Sequence, residues 1–409
     1  MPSLHSRPGA LENCRILDLS RVFSGPWAGQ MLGDLGAEVI KVERPGAGDD
    51  SRRLAPFFTH PLLGSSESVF FSSANRNKKS ITVDISSEGG QNLIKALAAQ
   101  SDVVIENYKV GTLKRYGLDY SSLSKVNPRL VYCSITGFGQ TGPFSSRPGY
   151  DLVFQAMSGL MSITGSEGPV GGPQRVGFVV SDFIGGMYAV VSILAALQYR
   201  ASHDVGQHID LSLLDTQVAA LSHIATSYLM TGNIPARHGT GAPQGAPSQM
   251  YRTADREIVV VVGNEEQFAS FCAVIGLPDL CRDARFSSNS QRLGHKDSLN
   301  EIIQGLLLTR TSHEWLDLLE RAKVPAGPVL DVKGMFDHSQ IRHRGMQVAP
   351  DEARGRHLPH VANPIKFSAS PIETYRDAPT IGADTERVLS SLLGLKDEEI
   401  ARLRAANTV

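Results

Sequence analysis

Short apolar runs recur over the first 140 positions, and amphipathic stretches separate them. CRILDL (14–19), AEVIKVE (37–43), DVVIENY (102–108) and RLVYCSIT (129–136) read as strands buried on both faces, and SITVDI (80–85) alternates. GPWAGQMLGDLG has helical spacing. So does the stretch after Ser86 or Ser87, where either serine can cap a helix with Leu93, Ile94 and Leu97 on one face. A shorter helical piece is expected around 111–126. Strands alternating with helices predict an α/β fold with a parallel sheet covered on both faces.

The regularity stops after 136. GFGQTGPFSSRPGYD reads as a loop, a long helix runs from 181 to about 201, QHIDLSL is a strand, and DTQVAALSHIATSYLM is a helix. Residues 231–250 are dense in Gly and Pro, the mark of a linker or an active-site loop. EIVVVVG (257–263) opens a smaller unit with helices near 265–276 and 296–321, and the tail supplies two helical pieces. The expected division is a large domain from 1–230, a linker and small domain over 231–330, and a return to the large domain over 331–409.

The 409 residues suffice for two or three domains. A net charge of −1 gives no electrostatic footprint for nucleic acid, and Lys78 and Lys79 read as a solvated turn. Cys14, Cys133, Cys272 and Cys281 form no C-x-x-C pair, which disfavours zinc or a disulfide framework and fits a cytoplasmic location. The first residues lack an apolar signal core, and no stretch holds about 18 uninterrupted apolar residues, so no membrane span is expected.

GFGQTG (137–142) matches a dinucleotide fingerprint, but Pro143 and SSRPG follow where a helix must open. There is no G-x-S-x-G elbow and no phosphate loop. His208 and Asp210 share one strand face without a third ligand, so no metal is expected, and His223 on an apolar helix reads as a core residue. Asp182 stands at the start of VGFVVSDFIGGMYAVVSILAAL (176–197). Ser181 is a plausible N-cap, and an acid in the first helical turn is favoured by the helix dipole. The dipole would keep Asp182 ionised even when partly buried, which suits a nucleophile, and Gly185 and Gly186 would let a bulky substrate approach. The spacing alone favours a structural acid over a catalytic one.

RILDLSRVFSGPWAGQMLGDLGAEVIKVERPGAGDDSR (15–52), NRNKKSITVDI (75–85), DVVIENYKVGTLKRYGL (102–118), NPRLVYCSITGFGQTGP (127–143), GYD (149–151) and SDFIGGMYAVVSILAAL (181–197) together resemble the class III coenzyme A transferases, the formyl-CoA transferase/carnitine CoA-transferase family. YCSITGFGQTGP and ALSHIATSYL look most like the succinyl-CoA:dicarboxylate members, of glutarate and itaconate type. The resemblance implies a Rossmann-like large domain built from both chain ends, a smaller inserted domain, and an interlocked homodimer. It implies coenzyme A as a substrate carried on Asp182 as an aspartyl-CoA thioester, a small carboxylate as acceptor, and no metal. By motif, CoA contacts fall on Phe23, Ser24, Arg44, Val83, Asp84, Ile85, Ser86, Asn107, Tyr108, Lys109, Arg115, and the loop from Arg147 to Tyr150. Some members have Gln where Phe23 stands. Arg21, Arg147, Arg237 and His238 are the candidates to meet a second carboxylate.

Two alternatives remain beside transfer. The 2-methylacyl-CoA racemases of the same fold use a His where this chain has Tyr150, and a phenol with an ordinary pKa near ~10 is a poor base. A non-catalytic CoA-binding protein would need no Asp182.

Overall fold

The computed structural model describes residues 9–166, 171–354 and 356–409. Two compact units are present: Met1–Leu160, Val176–Gly232 and Arg342–Val409 make the first, and Met161–Arg175 with Asn233–Ile341 the second.

The first unit is built on six strands: β1 (Arg15–Asp18), β2 (Glu38–Glu43), β3 (Lys78–Thr82), β4 (Val103–Glu106), β5 (Val131–Thr136) and β6 (His208–Ser212). All pair in parallel, in the order β3-β2-β1-β4-β5-β6. The chain winds outward from β1 on one side and from β4 on the other. In such a sheet the first crossovers leave in opposite directions, and a crevice opens beyond the carboxyl ends of β1 and β4.

Its principal helices are α1 (Ser24–Asp34), α2 (Glu88–Ala99), α3 (Tyr120–Val126), α4 (Asp151–Met157), α5 (Val180–His203), α6 (Leu213–Ala220) and α7 (Ser222–Thr231). Ser87 caps α2 by accepting from the Gly90 amide. The apolar stretch over 215–230, expected to be one helix, breaks into α6 and α7, with Ser222 at a positive φ of 43°. No residue of α7 is buried, so His223 is exposed and not a core residue: among the described residues nothing covers that helix. α5 is long and apolar enough to cross a membrane by length and composition, which a count of uninterrupted apolar residues misses. Here its Ala189, Val190, Ile193 and Ala196 pack against the sheet.

The second unit has an antiparallel sheet of β7 (Ser248–Arg252), β8 (Glu257–Val261) and β9 (Ala326–Pro328), in the order β9-β8-β7. It packs with α8 (Glu265–Val274), α9 (Lys296–Leu307) and α10 (Ser312–Arg321) around Ile258, Val260, Phe268, Phe271, Ile303 and Trp315. The helix expected over 296–321 is divided because Thr311 and Glu314 form a capping box that starts α10 afresh.

At the C-terminus, α11 (Thr385–Leu393) and α12 (Asp397–Ala405) return to the first unit. Side chains alternate across a strand. Leu17, Ile40, Ile81, Val104 and Tyr132 therefore face Leu93, Ile94 and Leu97 of α2 with Val388, Leu389 and Ile400 of the returning helices. Ile16, Val39, Val103 and Val131 face α1 and α5 on the other side. Each fully buried Leu or Ile contributes about 1.5–3 kcal/mol.

One charge reading fails here. Lys78 is not in a solvated turn but buried in β3, where its Nζ donates to Asp18 Oδ2 at 2.8 Å, Asn75 Oδ1 at 2.8 Å and the Pro26 carbonyl at 2.8 Å. Adjacent strand positions point to opposite faces. Lys79 therefore turns the other way and pairs with Glu38.

Candidate active site

A cavity of about 320 Å³ opens beyond the carboxyl ends of β1, β4 and β5, where the strand order reverses. The turn between β1 and α1 supplies Arg21, Val22, Phe23 and Ser24; the segment after β4 supplies Asn107, Tyr108, Lys109 and Val110. Ile135, Thr136 and Gly137 close the end of β5, the loop from Arg147 to Tyr150 forms the rim, and Asp182 enters from α5. Eight of the expected site residues thus meet in one place: Phe23, Ser24, Asn107, Tyr108, Lys109, Arg147, Tyr150 and Asp182.

The others do not line it. Arg44, exposed at the end of β2, pairs with Asp50 at 2.7 Å, and Asp50 does reach the cavity. Val83 is buried in the core, and Ile85 packs beside it. Asp84 accepts from the Ser86 amide and hydroxyl at 3.0 and 2.6 Å. Arg115 is exposed, with its guanidinium 5.8 Å from the Tyr116 ring. Of the cations considered for a second carboxylate, Arg21 and Arg147 line the cavity, whereas Arg237 and His238 belong to the second unit.

Phe23, Trp27, Phe70 and Phe183 make an aromatic wall, with ring centroids 5.9 Å apart for Phe23–Trp27, 5.3 Å for Phe23–Phe70 and 5.0 Å for Trp27–Phe183. Four buried polar atoms lack partners among the described residues: Arg21 Nε, Ser24 Oγ, Trp27 Nε1 and Thr136 Oγ1. Arg21, Ser24 and Thr136 line the cavity. An unsatisfied buried polar atom costs about 1–3 kcal/mol. Concentrating three such residues at one cavity is a cost that a polar ligand would relieve.

Asp182 lies half-buried in the first turn of α5. Ser181 does not cap this helix, because it already lies inside the first turn. Its hydroxyl donates to Gln217 at 3.0 Å, and its amide donates to Asp151 Oδ1 at 2.8 Å. Asp151, from α4, thereby takes a terminal amide of α5. Burial first, and the charge of Asp151 second, push the Asp182 carboxyl up to about 7. The expectation that the dipole keeps it ionised is therefore overturned. A helix terminus contributes about 0.3–1 kcal/mol to an acid, and desolvation outweighs that.

Gly185 and Gly186 also serve another purpose than the one expected. A Cβ at 186 would stand 2.8 Å from Trp27 Cδ1 and 2.9 Å from the Ser24 carbonyl, and one at 185 would stand 2.3 Å from Leu213 Cδ2. The glycines let α5 lie against α1 and α6.

Glu106 escaped the sequence reading. It is buried at the end of β4, and burial pushes its carboxyl up to about 7, while Oε2 accepts from the Tyr108 amide at 2.8 Å. It faces a second cavity of about 330 Å³ that shares Tyr108, Lys109 and Val110 with the first. His208 in that cavity stacks on Tyr120 at 5.3 Å and lies 3.0 Å from the Ser134 hydroxyl, while Asp210 accepts from the Gln140 amide at 3.0 Å. The two do not act as a ligand pair, and no cluster of three metal-binding side chains occurs among the described residues. An acid closing an otherwise apolar strand, VVIE, is the signal that could have found Glu106.

The comparisons with known proteins agree with one another. The profile of CoA-transferase family III matches residues 11–385. The succinate–glutarate CoA-transferase of Agrobacterium fabrum is 41% identical over 393 residues, covering 96% of this chain and 98% of that protein. Human succinyl-CoA:glutarate CoA-transferase is 41% identical over 399 residues, covering 98% of this chain and 90% of that one. The crystal structure of a CAIB/BAIF family protein from Brucella suis superposes with a TM-score of 0.86 at 37% identity, covering 94% of this chain and 100% of its own. A parallel α/β sheet, a cavity at its switch point and a match across nearly the whole length lead to one conclusion: the chain belongs to CoA-transferase family III and is a CoA-transferase.

Proposed function

We propose that the chain transfers coenzyme A from succinyl-CoA to a short dicarboxylate such as glutarate or itaconate, through covalent intermediates on Asp182. One observation carries the reading. Asp182 is a half-buried carboxylate without a counter-ion among the described residues, and it shares its cavity with the orphaned polar atoms of Arg21, Ser24 and Thr136.

The ionised Asp182 attacks the acyl-CoA carbonyl; the C–S bond breaks, giving a mixed anhydride and CoA thiolate. The thiolate attacks the Asp182 carbonyl of that anhydride, releasing the donor acid as its carboxylate and leaving aspartyl-CoA thioester. The acceptor carboxylate attacks this thioester, expelling thiolate, and the thiolate then takes the acceptor's acyl group and restores Asp182. Each step exchanges one acyl bond for another, so no external energy source is needed, and one hard exchange is divided into easier ones. Burial lowers the hydration of Asp182 and makes its oxygen a better nucleophile once ionised. The hydroxyls of Ser24 and Thr136 are donors for oxyanions formed along this path.

The dicarboxylate preference rests on the glutarate specificity that gives the two relatives their names and on Arg21 and Arg147, which bring cations to the cavity. Arg44, Arg115 and the 83–86 segment would then serve the distant, phosphate-bearing end of CoA.

A homodimer is part of the proposal. Leu229 and Met230 of α7 are 80% and 81% exposed, and Val218 and Tyr228 are exposed beside them, a surface that a second copy would cover. A sedimentation run showing an active monomer would refute it. A cytoplasmic location is consistent with four free thiols, three of them buried.

The decisive assay offers succinyl-CoA and a panel of C4–C6 mono- and dicarboxylates. Transfer to dicarboxylates, together with hydroxylamine or borohydride trapping confined to Asp182, is the expected result. A higher kcat/KM for oxalate, carnitine or an aromatic acid would overturn the acceptor class, and full turnover by Asp182→Ala would overturn the mechanism.

A further inference from the structure

Val22 lines the cavity beside Phe23 and Ser24, and its φ is +69°. That is the left-handed region, which a β-branched residue avoids because its branched Cβ crowds the backbone. Left to itself, this position would relax to negative φ and carry Phe23 and Ser24 with it. Such conformations persist only where surrounding groups over-determine them, and they cluster at functional sites.

The groups that do so here come from three other elements. The Val22 amide donates to both oxygens of Asp49, at 3.2 and 3.3 Å. The Arg21 amide donates to Asn107 Oδ1 at 2.8 Å, and Asn107 Nδ2 donates back to the Arg21 carbonyl at 2.7 Å. The Ser20 carbonyl accepts from Lys41 Nζ at 3.0 Å. Lys41 is also the ion partner of Asp49, at 2.7 Å, and both side chains are buried. Asp49 is held further by the amide and hydroxyl of Ser51, at 2.8 and 2.6 Å. It cannot swing away from Val22 without leaving Lys41 buried and unpaired.

We infer that Asp49, fixed by Lys41, is a positioning residue: it holds Val22 in a left-handed conformation so that the turn bearing Phe23 and Ser24 keeps its place opposite Asp182. Asp49 does not line the cavity, whereas Arg21 and Val22 do.

The competing account is that Asp49 serves only the short helical turn at Asp50–Arg53, which it also caps. Glycine separates the two, because it adopts positive φ without penalty whereas alanine does not. Asp49→Asn is made first, and kcat and KM are measured with whichever donor and acceptor the unaltered enzyme turns over fastest. We expect kcat to fall by about tenfold or more, with a smaller change in KM. Adding Val22→Gly restores kcat at least ~5-fold; adding Val22→Ala does not. Rescue by both substitutions, rescue by neither, or no loss in Asp49→Asn would overturn the proposal. If Asp49→Asn does not fold, the background becomes Asp49→Ala with Lys41→Met, which removes the buried charge together with its partner. The same contrast between glycine and alanine is read there.

Discussion

Beneath the β1–α1 turn, Asp18 and Asp49 are buried against Lys78 and Lys41. Beside the two cavities, Glu106 is buried and Asp182 half-buried, with no cation against either among the described residues. Burial alone would raise all four. The lysines overcome it for Asp18 and Asp49 and hold both below the usual carboxylate range. For Asp182 the charge of Asp151 adds to it; for Glu106 the bonds from the Ser134 hydroxyl and the Tyr108 amide offset only part of it, and both rise to about 7. The same sheet edge therefore holds one set of acids that fix backbone and another kept ready to change charge. Glu106 is buried about as fully as Asp18 and Asp49, so for it the difference is the missing ammonium group and not depth.

The comparison can be broken most severely at the reactive acid. Asp182→Asn should reduce transfer by at least ~10³-fold, since the nucleophile is gone, while the thermal melt stays intact. The melt should also gain a pH signature. A carboxyl raised to about 7 favours folding in its neutral form, so its contribution is present at low pH and lost as pH rises towards and through about 7. Wild type should therefore lose stability relative to Asp182→Asn between about pH 4 and 7, measured by denaturant midpoints.

The structural set breaks differently. Lys78→Met leaves Asp18 buried without its partner and should cost about 3–5 kcal/mol. Adding Asp18→Asn should recover much of that, an outcome read from the same denaturant curves.

The contrast is sharpened, with smaller effects, by pH. The kcat/KM of wild type should fall about tenfold per unit below about pH 7, as Asp182 takes up its proton. Asp151→Asn removes the second cause of the raised value, so that acid limb should move to lower pH. A limb that does not move would show that Asp151 matters only through its bonds to Ser181 and Gln155.

Much of this was legible in the chain. The apolar runs gave the strands of the parallel sheet, because strands covered on both faces must be apolar throughout. The motifs after β1 and β4 pointed to residues that do meet at the cavity. Strand order was not legible, since chain order does not say which crossover turns back. The buried lysines were missed for a physical reason: Lys41 and Asp49 are eight positions apart, and Lys78 and Asp18 sixty, so only the fold pairs them. A lysine inside VIKVE was the available warning. Asp182 was misjudged because the helix dipole can be read from sequence, whereas desolvation and Asp151 cannot.

The close approach at Gly186 bears on how a mutational scan of this enzyme would look. At Gly185 an added methyl meets the movable end of Leu213 and the Ser24 hydroxyl, but at Gly186 it meets the Trp27 ring and the Ser24 carbonyl, and backbone does not step aside. Gly186→Ala must displace α5 or the first turn of α1, and each carries a working part of the cavity. Position 186 would then score as an active-site residue through its backbone alone, with no group of its own in the chemistry. Position 185 would score as an ordinary tight contact. Adjacent and identical in type, the two would differ in tolerance because only side chains crowd position 185, whereas a backbone carbonyl also crowds position 186.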